Sequence, residues 1–222
     1  MRKRIKRGLR VSKYIIYKET LVYNREHFWS FVGAFVGIGL IAFIQSHSLS
    51  EYDNIFLIGS FGASSVLIYG AIQSPLAQPR NLIGGHLISA IIGVTVYHVL
   101  PDILWITAPL AVALSIVMMQ VTKTLHPPGG ATALIPIIGT EKVKAMGFMH
   151  PISPVLTGAL ILFVVALIFN NVTSHRKYPA AKRFTKLTNL IKRIPFIPIK
   201  ETQVKLNHGK IEFCYRNSVI WT

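Results

Sequence analysis

Residues 126–139 read His126-Pro127-Pro128-Gly129-Gly130-Ala131-Thr132-Ala133-Leu134-Ile135-Pro136-Ile137-Ile138-Gly139. The first two prolines hold the chain extended and disfavour helix for the residue before each of them. The two glycines then allow a tight turn and a close backbone approach. The Ala-Thr-Ala-Leu-Ile run that follows can begin a helix. The apolar part, Gly129–Gly139, is short: at about 1.5 Å per residue it covers under about 20 Å, against the ~30 Å of a hydrocarbon core. It is a half-helix, a re-entrant element, or a helix entered through extended chain.

Outward from this stretch lie five longer apolar segments, Phe28–Ile44, Ile55–Ile72, Leu82–Leu100, Ile103–Val121 and Ile152–Asn170. Each approaches the ~20 residues a helix needs to cross a bilayer. Composition agrees, because 51% of the 222 residues are hydrophobic and only 14% are charged, where soluble domains carry about 25%. Of the 24 Lys and Arg residues, 9 lie in residues 1–26 and 11 in residues 173–222. Only Arg80, Lys123, Lys142 and Lys144 stand between, and the acids there (Glu51, Asp53, Asp102, Glu141) fall in gaps between apolar runs. The chain therefore reads as an all-α integral membrane protein: a basic cytoplasmic N-terminal flank (1–27), a transmembrane domain (28–172) and a basic cytoplasmic C-terminal tail (173–222).

The net charge of +16 would suit nucleic acid, but charge placed beside apolar spans serves topology and attracts anionic lipid. We expect membrane lipid, not nucleic acid, as the partner. The N-terminal flank belongs inside, the Gln45–Asn54 loop outside, Arg80 and Lys123 inside, and Pro101–Asp102 outside. The basic tail returns inside after an even number of crossings, which favours six. No small-residue cleavage pattern follows the first apolar run, so the flank reads as retained. The cell membrane (plasma or inner) is the expected location. The lone Cys214 excludes an internal disulfide.

A short internal similarity suggests two three-segment units. Gly62-Ala63-Ser64-Ser65-Val66-Leu67-Ile68 aligns with Gly130-Ala131-Thr132-Ala133-Leu134-Ile135, and Asn81–Ile88 with Pro154–Ile161. An odd number of crossings per unit makes the repeat inverted. Two helix starts, at Gly62 and Gly130, would then approach one midplane site from opposite faces. A helix beginning in the bilayer leaves its first N–H groups unpaired, and a bound anion can satisfy them. The candidate substrate-binding residues are therefore Gly62, Ala63, Ser64, Ser65, Gly129, Gly130, Ala131 and Thr132, with His126, Arg80, Asn81 and His86 in second rank. No charged residue lies within the spans, which favours a small monovalent anion or a neutral solute over a carboxylate-based proton pump. The competing reading is plain packing, since small residues let helices approach closely. Those small-residue faces suit a homodimer and equally a compact monomer.

Three strings, Ser60-Phe61-Gly62-Ala63-Ser64-Ser65, Ser74-Pro75-Leu76-Ala77-Gln78-Pro79-Arg80-Asn81-Leu82-Ile83-Gly84-Gly85-His86 and His126-Pro127-Pro128-Gly129-Gly130-Ala131-Thr132-Ala133, resemble the HPP family of integral membrane proteins. The resemblance covers residues 28–172, and it implies a small-anion transporter or channel, with nitrite as the anion. A non-transporting scaffold or accessory subunit, whose basic tails bind partners or lipid, is the alternative. Neither a metal nor a cofactor is expected. His86, His98, His126 and His150 show no ligand spacing, and no nucleophile or phosphate-loop motif that would mark an enzyme is present.

Overall fold

The computed structural model describes residues 24–173, 176–180, 202–207, 210–215 and 218–220. The basic flank before Asn24 and the basic residues 181–201 lie outside the described residues. Seven α-helices are described: α1 (Asn24–Ser46), α2 (Glu51–Ser65), α3 (Pro79–Val99), α4 (Leu104–Val121), α5 (Gly129–Ile138), α6 (Glu141–Met146) and α7 (Thr157–Phe169). A π-turn, Val66–Gly70, prolongs α2, and another, Pro151–Leu156, leads into α7.

Four of these helical stretches, Glu26–Ser46, Pro79–Val99, Leu104–Val121 and Pro151–Phe169, are long and apolar enough to cross a membrane. Many large apolar side chains on them face outward, Phe35 at 71% and Trp105 at 78% exposed among them. In water that surface would be costly; against lipid it is what a span requires.

The expectation of six spans is corrected to four. The second apolar segment is carried by the 15 residues of α2, whose first turn holds Glu51 and Asp53 and whose regular hydrogen bonding ends at Ser65. At 1.5 Å per residue such a helix covers about 22 Å. The fifth segment forms the 10 residues of α5, about 15 Å by the same measure. The inverted repeat is not found either. Gly62 lies in the last turns of α2, whereas its counterpart Gly130 opens α5. Asn81 lies in the first turn of α3, whereas its counterpart Pro154 sits inside a π-turn. The matched strings share small-residue composition and occupy different places in their helices. Nor is the fold wholly helical: β1 (Thr202–Asn207), β2 (Lys210–Tyr215) and β3 (Ser218–Ile220) make an antiparallel sheet in the order β1-β2-β3, with Val204 opposite Phe213 and Phe213 opposite Ile220.

The core joins α1, α2, α3 and α7 through Ile41, Leu57, Phe61, Leu82, Ala90, Ala159, Leu162 and Ala166. On the other side α5 lies against α3 at unusually close range. Gly85, Ser89 and Gly93 recur every four residues and so line one face of α3. A methyl group at Gly93 would strike the Ala133 carbonyl, one at Gly85 would strike His126, and one at Gly129 would meet Ser89 Oγ at 2.6 Å. Backbones meet here because side chains are absent.

Contacts sort the loops into two ends. At one, Arg80 donates to the Thr122 carbonyl at 2.6 Å. At that end too, the segment after α7 folds back over the domain, with the Tyr178 hydroxyl donating to the Ala77 carbonyl at 2.9 Å. There Arg176, 4% exposed, pairs with the Glu26 carboxylate at 3.4 Å and donates to Asn170 Oδ1 (2.7 Å) and to the carbonyls of Tyr69 and Glu26 (2.9 Å each). At the opposite end Asp53 accepts the Thr140 hydroxyl at 2.7 Å, and Lys142 donates to the Ser48 carbonyl at 2.7 Å.

Candidate functional site

Four polar side chains meet in the interior of the domain, where α2, α3 and the start of α5 converge. Ser64 comes from α2, His86 from α3, His126 from the extended approach to α5 and Thr132 from α5 itself; each is 0% exposed. Ser64 Oγ stands 2.7 Å from His86 Nε2 and 2.9 Å from His126 Nε2. His86 Nδ1 is 2.7 Å from Thr132 Oγ1, and His126 Nδ1 is 2.9 Å from the Leu76 carbonyl. The imidazole centroids are 5.0 Å apart, and the Phe61 ring lies 5.0 Å from His86.

The local chain explains each placement. Pro79 opens α3, whose fixed φ suits a first helical position, and His86 follows two turns later beside Gly85. The missing side chain of Gly85 is the space into which His126 fits. Pro127 and Pro128, expected to hold the chain extended, lie instead in a turn, with Gly129 N–H donating to the His126 carbonyl at 2.8 Å, and α5 starts at Gly129. Thr132 then comes one turn into α5, facing His86.

Donor and acceptor inventories assign the hydrogens. A carbonyl only accepts, so His126 Nδ1 carries a hydrogen toward Leu76, and in the neutral ring its Nε2 accepts. Only Ser64 is there to donate to it. The single Ser64 hydrogen thus points at His126, so His86 Nε2 donates to Ser64 Oγ. His86 Nδ1 then accepts the Thr132 hydroxyl. The chain runs one way, from Thr132 through His86, Ser64 and His126 to the Leu76 carbonyl, with every polar group satisfied and no net charge.

The remaining candidates fall elsewhere. Gly62 is half-buried with open space where a Cβ would stand, and Ala63 and Ala131 face outward. Gly62 is therefore not a helix start, and no pair of opposed helix N-termini is formed. Ser65 is buried with an unpartnered hydroxyl. Gly129 is packed between Ser89 and Met119, and Gly130 touches Val112 at ordinary distance. Arg80 is exposed, and Asn81 donates to the Leu125 carbonyl at 2.6 Å, so both brace the chain before His126. Among the described residues no group of three or more His, Cys, Asp or Glu could hold a metal ion.

Sequence reading placed Ser64, His86, His126 and Thr132 among its candidates without pairing them; gaps of 22 and 46 residues hide the convergence. It gave no role to Phe61, or to the Leu76 carbonyl, which as backbone leaves no side-chain signal. A separate and mainly apolar cavity of about 110 Å³ has Gln45, Ser48, Ser153, Thr157 and Gly158 in its wall. Gly158, in the cavity wall, is pressed against the Phe61 ring, and that ring lies against His86.

The HPP transmembrane-region profile matches residues 20–179, a stretch containing every element of this site. The chain belongs to the HPP family. Two proteins of Dictyostelium discoideum, each named only as a transmembrane protein, are 46% and 45% identical to it over 154 residues. Those alignments take in 68% of this chain and 49% and 54% of the two relatives, so the chain spans about half the length of the curated relatives it matches. No solved structure matches it. Within the HPP domain the eponymous His-Pro-Pro triplet thus supplies one member of the buried cluster, His126, and the two prolines that set the start of α5.

Proposed function

We propose that this HPP domain carries a small monovalent anion across the membrane by way of the Ser64–His86–His126–Thr132 cluster. The observation that carries the reading is this uncharged polar cluster at the centre of an apolar helical domain. Four polar side chains in such a place are costly to keep unless fully paired, and a domain needing only to pack could fill the space with apolar residues. Polar groups inside a membrane domain accordingly point to a pathway. The cavity lined by Gly158 carries hydroxyl and amide groups, and Gln45 Oε1 there has no hydrogen-bond partner. Nitrite, which the family resemblance implies, is the first candidate substrate. The positive-inside bias of the basic flanks supports a cytoplasmic side for both termini.

The test is flux into proteoliposomes holding the purified protein, with nitrite, nitrate, formate and chloride compared side by side. Nitrite flux well above that of empty liposomes is expected. Absence of protein-dependent flux for all four anions would overturn the reading. It would favour a scaffold role, which the tight packing of Gly85, Gly93 and Gly129 also suits.

A further inference from the structure

We propose that the cluster takes up one proton with each anion, so that this HPP domain is a proton–anion cotransporter. The inference rests on the transport reading above and adds what drives it.

An anion entering a dry site needs a counter-charge, because an uncompensated buried charge is expensive. Within the cluster, only the two imidazoles can supply one. The elements packed around them offer little else. From α2 come Ser60, Phe61 and Ser64, while its acids Glu51 and Asp53 sit in its first turn at the far end, where Asp53 is held by Thr140. From α3, Arg80 is exposed and bonded to the Thr122 carbonyl. From α5 comes Thr132, from the segment before α3 the Leu76 carbonyl, and from α7 Gly158 against Phe61. His150, which precedes the π-turn into α7, is buried but takes no part in the cluster's hydrogen bonds.

The hydrogen-bond pattern has a place ready for an extra proton. If His126 Nε2 gains one, that nitrogen changes from acceptor to donor and points its hydrogen at Ser64 Oγ. The Ser64 hydroxyl must then give its own hydrogen elsewhere, and the Ser60 carbonyl stands 3.2 Å away to take it. Ser64 Oγ accepts from both histidines, which its two lone pairs allow. If the proton sits instead on His86 Nδ1, Thr132 accepts it and turns its hydrogen to the Pro128 carbonyl at 3.4 Å. In either form each hydroxyl needs only to rotate, no polar group is orphaned, and the number of hydrogens in the cluster rises by one. A second proton is disfavoured, since two imidazolium rings would stand with centroids 5.0 Å apart. One proton therefore accompanies one anion, and the pair moves without net charge.

The experiment uses the full-length protein in proteoliposomes with a pH dye in the lumen. Initial rates for nitrate are measured under an imposed pH gradient (lumen alkaline) or an imposed potential (lumen positive), each with empty-liposome rates subtracted. Nitrate is chosen alongside nitrite because its conjugate acid is too strong to cross lipid unaided. The expected result is anion-dependent acidification of the lumen, with flux rising under the pH gradient and indifferent to the potential. One unit of pH gradient should then accumulate the anion about tenfold, the ratio set by one-to-one coupling. Flux that follows the potential and ignores the pH gradient would overturn proton coupling while leaving transport intact. Absence of protein-dependent flux for nitrite, nitrate, formate and chloride alike would remove both. His126→Gln and His86→Gln keep neutral hydrogen-bonding groups but hold no extra proton; a variant that folds and still acidifies the lumen at the wild-type rate would remove that histidine as the carrier.

Discussion

Two buried polar groupings in this domain solve the same problem in opposite ways. The Glu26–Arg176 pair carries full charges, and its guanidinium is spread over a carboxylate, two backbone carbonyls, the Asn170 amide oxygen and the Ser30 hydroxyl. The Ser64–His86–His126–Thr132 cluster carries none, and its order depends on which way two hydroxyl hydrogens point. The charged grouping ties the start of α1, the turn after α2 and the end of α7 together. Its guanidinium is held by partners from three parts of the chain, so it serves as a fastening. The neutral one spans three elements and can be rewritten by rotating hydroxyls. The difference teaches that burial alone does not distinguish a fastening from a candidate site; the ability to exist in two satisfied states does.

The largest effect should come from breaking the fastening. Arg176→Met leaves the Glu26 carboxylate buried and unpaired, a loss of about 3–5 kcal/mol. It should appear as a large drop in thermal unfolding midpoint in detergent. The Glu26→Gln/Arg176→Met double variant should recover part of it; no recovery would mean the pair is not the source.

The α3–α5 contact comes next. Gly93→Ala forces a methyl group onto the Ala133 carbonyl, and overpacking of this kind costs about 1–3 kcal/mol. Gly62→Ala, with open space around it, should instead be neutral or gain up to about 1 kcal/mol from better helix propensity. Unfolding midpoints that move the same way in both variants would contradict the packing described.

A smaller effect is expected from acid. Burial pushes the Asp53 carboxyl up, but hydrogen bonds from Ser50 and Thr140 more than offset this and hold it below its ordinary value of 3.8. A group with a lowered folded-state value contributes stability that is present above the unfolded value and lost as pH falls through the folded one. The wild-type protein should therefore lose stability below about pH 4, and Asp53→Asn should flatten that loss. An unfolding profile over pH 2–5 with the same slope in both proteins would exclude Asp53 as a contributor.

Much of this was legible beforehand in particular residues. The apolar runs with charges only at their breaks announced the membrane domain, and Pro127-Pro128-Gly129-Gly130 announced a helix start, expected at Gly130 and found one residue earlier at Gly129. Ser64 and Thr132 drew notice as hydroxyls beside supposed opposed helix starts, and His86 and His126 only in second rank; the hydrogen bonds that join the four rest on other grounds. Crossing number was misread because six was chosen to bring the basic tail back inside, although the fifth run was already seen to be short. Hydropathy also does not see that the second run leaves regular α-helix at Ser65. The repeat was misread because Gly-Ala-Ser strings arise wherever helices pack closely. The pairing of His86 with His126 was invisible, since it depends on the empty side of Gly85.

The central claim is that the anion passes through the neutral cluster, and Ser64→Ala tests it most directly. That variant removes the hydroxyl joining the two histidines, at a stability cost of about 1–3 kcal/mol. Its nitrite flux in proteoliposomes is measured beside wild type, after the unfolding midpoint has shown the variant to be folded. The account predicts a folded protein whose flux falls to the level of empty liposomes. A folded Ser64→Ala protein with wild-type flux would contradict it.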